Sequence, residues 1–370
     1  MRLLLVDDVA ERLDRLEAEV ENAQPSWRIM RADDVRDAAH LISAAQCDAI
    51  VVADSRRHDR IAELLSQARK LMPNALRIAL GDSELAVANL IKAEVAHRVL
   101  AAPLDTQRLI DSIKSVRSLE AMLGSSALRE RIAGIHRLPP APTVALALIR
   151  ENASGTASMS SIAQRVHADA ALAAKVLQLS NSAFYSRGKP VLEIERALTL
   201  LGMDAVVNLV LAVQSFINPV LQSRAILASQ MAVQVARDVN QTALGPVAAT
   251  ASTLAYIGKL LNLRSDEINL RVPHDPDNRQ PELPIESVAG AYLLSLWGLP
   301  WPIIEAVAYR DNPTAASEQN FGLTTAVHTA CALADGKPID EGWLEVLNAS
   351  DHVREWETRA MSLGCPVRPN

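Results

Sequence analysis

Three aspartates stand at the ends of short apolar runs: Asp7 and Asp8 after RLLLV (Arg2 to Val6), and Asp54 after AIVVA (Ala49 to Ala53). Carboxylates gathered at one edge repel each other by roughly 4 kcal/mol per pair at about 4 Å in an effective dielectric near 20. A hard divalent cation such as Mg²⁺, held by oxygen ligands and retained waters, relieves that repulsion. Helix capping is the other use of the same residues, because Asp accepts well from the first amides of a helix. A second stretch raises the opposite question. TLAYIGKLLN, Thr253 to Asn262, is apolar around Gly258 and Lys259, and just before them stand Ala255 and Tyr256, which do not ligate metal at neutral pH.

The elements that position these residues follow from length and periodicity. A chain of 370 residues favours two domains. Only 3% of it is aromatic against 49% hydrophobic, which points to helices packed through small and aliphatic side chains. In the first third, Arg2 to Val6, Trp27 to Arg31, Ala49 to Ala53, Leu76 to Leu80 and His97 to Ala101 read as strands. Helical stretches separate them, the first with Leu13, Leu16 and Val20 at helical spacing. Five such units predict a parallel sheet with helices on both faces and ligands at the carboxyl ends of the strands, where the three aspartates fall.

Strand, acidic pair, strand-terminal Asp and a proline after the fifth strand (Ala102-Pro103) resemble, over residues 1–118, the receiver domain of bacterial response regulators. The resemblance implies a flavodoxin-like α/β fold, Asp54 as phosphoacceptor, Mg²⁺ held by Asp7, Asp8 and Asp54, and a histidine kinase as input. Two positions depart from it. Gly81 stands where receivers carry Ser or Thr, and Ala102 where they carry Lys. Those side chains place donors and positive charge on the phosphoryl oxygens, so a degenerate receiver is expected here, with a phosphorylation-responsive one as the alternative. SRRHDR after Asp54 also lacks the usual Met-Pro and Gly turn.

From Thr106 to Ile135 the spacing predicts helix, with Leu109, Ile113, Val116, Leu119 and Leu123 on one stripe and a break at Gly124-Ser125-Ser126. It reads either as the last helix of the sheet or as a transmission stalk and homodimer seam, with 119–137 as the linker. Beyond Pro139, Pro140 and Pro142 no strand is expected. Apolar stripes such as Leu172, Val176 and Leu179, or Leu227, Met231, Val235 and Val239, predict an all-α second domain.

Five motifs in order, LPPAPTVALALI at 138–149, SSIAQRVHADAALAAKVLQLSNSAFYS at 160–186, VLEIERALTLLGMDAVVNLV at 191–210, YIGKL at 256–260 and LLSLWGLPWPIIEAV at 293–307, resemble the HDOD domain. This is a helical relative of the HD metal-dependent phosphohydrolases, and it is assigned to 138–335 with a C-terminal extension at 336–370. HD enzymes carry a metal-binding His-Asp pair where this chain has Ala255 and Tyr256. No histidine lies between His167 and His274 to replace it, and Cys331 follows His328 where a ligand Asp would be. The resemblance therefore implies no metal cofactor in this domain. His328 is expected as a hydrogen-bonded core histidine and Lys259 as a snorkelling lysine. Asn181, Ser182, Phe184 and Tyr185 either end a helix or anchor a partner, since aromatics dominate binding hot spots. His274, Asp275 and Asp277 sit in a Pro-rich stretch expected to be a surface loop rather than a metal site.

The expected function is a non-enzymatic signal-transduction regulator whose HDOD domain binds a protein partner. The alternatives are a nucleotide or cyclic-dinucleotide sensor using the ancestral HD pocket, and a metal-dependent phosphodiesterase. Apolar runs are too short to span a membrane, and MRLLLVDDVAER turns acidic too early for a signal peptide, so the cytoplasm is expected. Cys47, Cys331 and Cys365 lie far apart without CxxC spacing, which argues against a disulfide framework or a zinc site. A net charge of -6 argues against a broad nucleic-acid footprint.

Overall fold

The computed structural model describes residues 1–53, 58–81, 83, 90, 95–101, 105–135, 158–181, 190–202, 219–261, 263 and 283–364. Strands β1 (Arg2–Val6), β2 (Arg28–Ala32), β3 (Ala49–Val52), β4 (Leu76–Gly81) and β5 (Arg98–Ala101) form one parallel sheet in the order β2-β1-β3-β4-β5. This is the doubly wound, flavodoxin-like order. β2 is shifted one residue from the WRIMR run, because Arg28 and not Trp27 pairs with Arg2.

Alternation along each strand divides the apolar side chains between the two faces. Leu3, Leu5, Ala49, Val51, Leu76 and Ile78 join Leu13, Leu16 and Val20 of α1 (Ala10–Ala23). Leu4, Val6, Ile50 and Val52 join Ala38 and Ile42 of α2 (Val35–Ala44) and Ile61, Leu64 and Leu65 of α3 (His58–Leu71). Covering both faces is what near-continuous apolar strands require.

Helix α4 (Thr106–Leu123) lays Leu109, Ile113, Val116, Leu119 and Leu123 into the α1-side core. It runs through residue 118 unbroken and ends at Gly124, whose φ of 63° is left-handed. Ser125 then caps α5 (Ser126–Ala133) by accepting from the Leu128 amide. The predicted stripe is thus buried within the chain.

All further described elements are helical: α6 (Met159–His167), α7 (Ala170–Ser180), α8 (Ile194–Leu201), α9 (Pro219–Asp238), α10 (Gly245–Leu254), α11 (Ile285–Leu296), α12 (Trp301–Ala308), α13 (Leu323–Asp335), α14 (Glu341–Val346) and α15 (Val353–Ser362), besides short 3₁₀ turns. α10, α11 and α13 are buried along nearly their whole length, which explains their weak amphipathic pattern. Their core is continuous with the α1 and α4 side of the sheet. The last two helices belong to it as well. Trp356 is fully buried and donates its indole N–H to Asp238 at 3.0 Å.

One backbone crossing sets how closely these helices approach. A Cβ on Gly258 would lie 2.0 Å from the Glu286 carbonyl oxygen, and one on Gly290 would lie 2.9 Å from the Gly258 nitrogen. The glycine before Lys259 is therefore there for a close pass of α11. Gly258→Ala should destabilise the fold by about 1–3 kcal/mol or more, because backbone must move to admit the methyl. Thermal denaturation should register this as a lower midpoint, and an unchanged midpoint would mean the crossing is looser than described.

Candidate functional site

Ala255 and Tyr256 form the turn that ends α10, and the 3₁₀ turn Ile257–Leu261 follows. Tyr256 is 1% exposed and donates its hydroxyl to Asp335 Oδ1 at 3.2 Å. Asp335, the last residue of α13, also meets Arg224 Nη1 at 3.3 Å and Lys259 Nζ at 3.5 Å. Two cations flank the Tyr256 ring, Lys259 Nζ and Arg310 Cζ each lying 5.3 Å from its centroid. Such placement draws on the negative face of the ring.

Arg310 is the most connected of these groups. Its guanidinium donates to the Ala255 carbonyl at 2.7 Å, to Asp311 Oδ2 at 3.0 Å and to Ser287 Oγ at 3.2 Å. Lys337 Nζ holds the other Asp311 oxygen at 2.9 Å. Behind it, buried His328 donates Nδ1–H to the Arg310 carbonyl at 2.7 Å and accepts the Asp340 amide at Nε2, 3.0 Å away. Those partners assign the neutral ring with its proton on Nδ1.

The electrostatics of the cluster oppose metal ligation. Burial pushes the Tyr256 phenol far above its ordinary range and the Cys331 thiol up to about 12, so both stay protonated. Burial also lowers the Lys259 ammonium, with Asp335 pulling the other way. The expected snorkelling lysine is instead mostly enclosed, 17% exposed, because Asp335 lies inside the domain. Both carboxylates of the cluster are engaged by cationic side chains, and position 255 is a methyl group. These residues do not fit a metal centre. Among the described residues no group of three or more His, Cys, Asp or Glu side chains is arranged to hold one.

No motif in the sequence marks Asp335, Arg224 or Arg310. Arg224 and Asp335 are 111 residues apart, and Arg310 lies within AYRDNP without a motif of its own. A cleft of about 780 Å³ likewise has no signature in the sequence. It opens between α6, α8, α9 and α10, with Gln164, Arg165, His167, Glu195, Gln222 and Gln230 among its lining. There His167 Nε2 lies 3.3 Å from Glu195 and Nδ1 lies 3.4 Å from Thr253 Oγ1.

At the sheet, both oxygens of Asp7 are held by the Arg12 guanidinium, Oδ2 by Nε and Oδ1 by Nη2 at 2.6 Å. Asp7 also accepts the Val9 amide at 2.9 Å, and Asp8 Oδ1 is 3.8 Å from Arg12 Nη2. A side chain of the following helix thus supplies positive charge to the acidic pair. Gly81, where receivers carry a hydroxyl, is buried at the end of β4. Asp54 and Ala102 lie outside the described residues, as do Ser182, Phe184, Tyr185, His274, Asp275, Asp277 and Cys365. Asn181 is described, and its amide is used internally. It donates to the carbonyls of Leu177 at 2.9 Å and Val191 at 2.8 Å, and accepts the Val191 amide at 2.9 Å.

The buried His328 yields a pH dependence. Burial lowers its pKa from 6.5, so on acidification the unfolded chain takes the proton first. The stability that the neutral ring confers is present above pH 6.5 and is lost as pH falls through the folded value. Melting midpoints between pH 7.5 and 5 should fall with acidification, and the decline should be shallower in His328→Gln. Equal slopes in the two proteins would remove His328 as the cause.

Residues 138–267 match the family model described as HDOD domain. A protein of Treponema pallidum (strain Nichols) described as uncharacterized is 26% identical over 247 residues, covering 60% of this chain and 47% of the relative. The chain thus spans about half the length of that curated relative. Among solved structures, a virulence factor from Campylobacter jejuni subsp. jejuni is 16% identical with a TM-score of 0.46, covering 67% of this chain and 97% of that one. The MmoQ response regulator of Methylococcus capsulatus str. Bath is 17% identical with a TM-score of 0.43, covering 63% and 95%. At such scores neither likeness bears on function. The family match and the strand order together identify a chain with an HDOD domain at residues 138–267 behind a receiver-like, five-stranded parallel sheet.

Proposed function

We propose that this protein is a non-enzymatic regulator of bacterial signal transduction, acting in the cytoplasm, in which the receiver-like domain takes or transmits a cue and the HDOD domain binds a protein partner. The observation that carries this reading is the Tyr256 hydroxyl on Asp335 amid Arg224, Lys259 and Arg310. Hydrolysis in HD enzymes needs a Lewis acid to bring the pKa of water toward neutrality. Fixed guanidinium and ammonium groups offer no open coordination position for that water. A homodimer would need a surface other than the α4 stripe, which is buried within the chain. Input at Asp54 from a histidine kinase would act without the hydroxyl that Gly81 lacks.

A ligand-sensing role is the second reading, favoured by the cleft beside His167, whose size lies in the range of small-molecule sites. That reading moves the sensor pocket away from the Tyr256 cluster.

Several measurements test these proposals. Purified protein with Mn²⁺, Mg²⁺ or Zn²⁺ should not hydrolyse bis-p-nitrophenyl phosphate, and capture from native cytoplasm should retain one protein stoichiometrically, released by Phe184→Ala or Tyr185→Ala. Metal-dependent turnover would overturn the reading, and a saturable thermal shift with one nucleotide in place of a protein partner would favour the sensor. Mg²⁺ at Asp7 and Asp8 competes with Arg12, so calorimetric titration should find about tenfold tighter binding in Arg12→Ala, or ~1.4 kcal/mol. Unchanged affinity would place the ion elsewhere.

A further inference from the structure

The two domains meet along α11, and the chemistry at its ends is specific. β5 sends Arg98 across the interface, a separation of 197 residues, to donate from Nη2 to the Ser295 carbonyl, and from Nε to the Leu296 carbonyl at 3.4 Å. These are the last carbonyls of α11 and carry its negative dipole end, and the Ser295 carbonyl also accepts the Gly298 amide at 3.1 Å. Arg98 thus adds a side-chain cap from another domain to the backbone turn that closes the helix. Its stem packs on Gly298, at whose left-handed φ of 76° the chain turns away. Arg98 is 6% exposed, and burial lowers its pKa to about 10.

Midway along the same helix, Tyr292 donates its hydroxyl to buried Glu120 of α4 at 3.1 Å. Trp297, just beyond the helix, donates its indole N–H to the Ile135 carbonyl at 3.3 Å. The other half of α11 bears on the Tyr256 cluster. Gly290 lies against Gly258, and Ser287 donates to Asp311 Oδ2 at 2.8 Å while accepting from Arg310. One helix of about 18 Å, at 1.5 Å per residue, therefore touches the sheet edge at one end and the altered HD-like site at the other. Because packed interiors deform little, a displacement at its C-terminus is carried to its N-terminal half rather than absorbed.

We propose that α11 couples the receiver-like sheet to the HD-like cluster, with Arg98 as the side chain that couples β5 to the helix. This deepens the regulator reading and rests on it only for the direction of the signal. Coupling itself is independent of whether the partner is a protein or a small molecule.

The test is hydrogen–deuterium exchange on the full chain, comparing wild type with Arg98→Met and, as a milder change, Arg98→Lys. Loss of the cap should raise amide exchange about tenfold at 293–299 and also at 255–261 and 308–311, which Arg98 does not touch. Glu120→Gln, which keeps a hydrogen-bond acceptor for Tyr292, should leave the last two segments unchanged. Exchange raised only at 293–299 would overturn the coupling while leaving the regulator reading intact. So would a uniform rise over every helix in Arg98→Lys, which would make Arg98 a general stabiliser. If Arg98→Met does not fold, Arg98→Lys alone decides between these outcomes.

Discussion

Arg310 is the interaction on which the helical domain depends. Its guanidinium joins the end of α10 at Ala255, α11 at Ser287 and the turn after α12 at Asp311, while its backbone carbonyl receives His328 of α13. Burying a charge costs several kcal/mol unless every donor finds a partner. Here the side chain finds partners at three elements and the backbone carbonyl at a fourth, so satisfying one residue fixes their mutual placement. The face of Tyr256 completes the enclosure, and Asp335 and Asp311 balance the charge. The surroundings of Tyr256 are thus organised by a cation of the chain itself.

The same economy of partners explains why the two domains share one core. α4 uses its apolar stripe on the sheet and its buried Glu120 on α11, and β5 uses Arg98 to finish that helix. Buried polar atoms spaced along a mostly apolar boundary make the docking directional, because each must meet its own acceptor or donor. A wholly apolar interface would permit sliding. This one defines a register between β5 and α11.

Much of the fold was legible in periodicity. The strands RLLLV, AIVVA and LRIAL alternate their burial between two faces, and the break predicted at Gly124 is where a left-handed glycine ends α4. Boundaries were legible to a residue or so, as the one-residue shift of β2 illustrates, since pairing partners and not composition decide where a strand begins. The ladder of motifs from LPPAPTVALALI onward sufficed for the HDOD domain, because spaced motifs constrain one another.

The site divides differently. The residue types at 255, 256 and 331 are a property of the sequence alone, and a methyl, a phenol and a thiol are legible there without any structure. What surrounds those residues was decided by the tertiary structure. Arg224 and Asp335 come from separate helices and Arg310 from the turn after α12, and Arg98 reaches α11 across 197 residues, so no local spacing marks them. Local patterns report secondary structure because neighbours along the chain share a face. Charge pairing inside a core is set by which helices pack together, and that is a property of the whole fold.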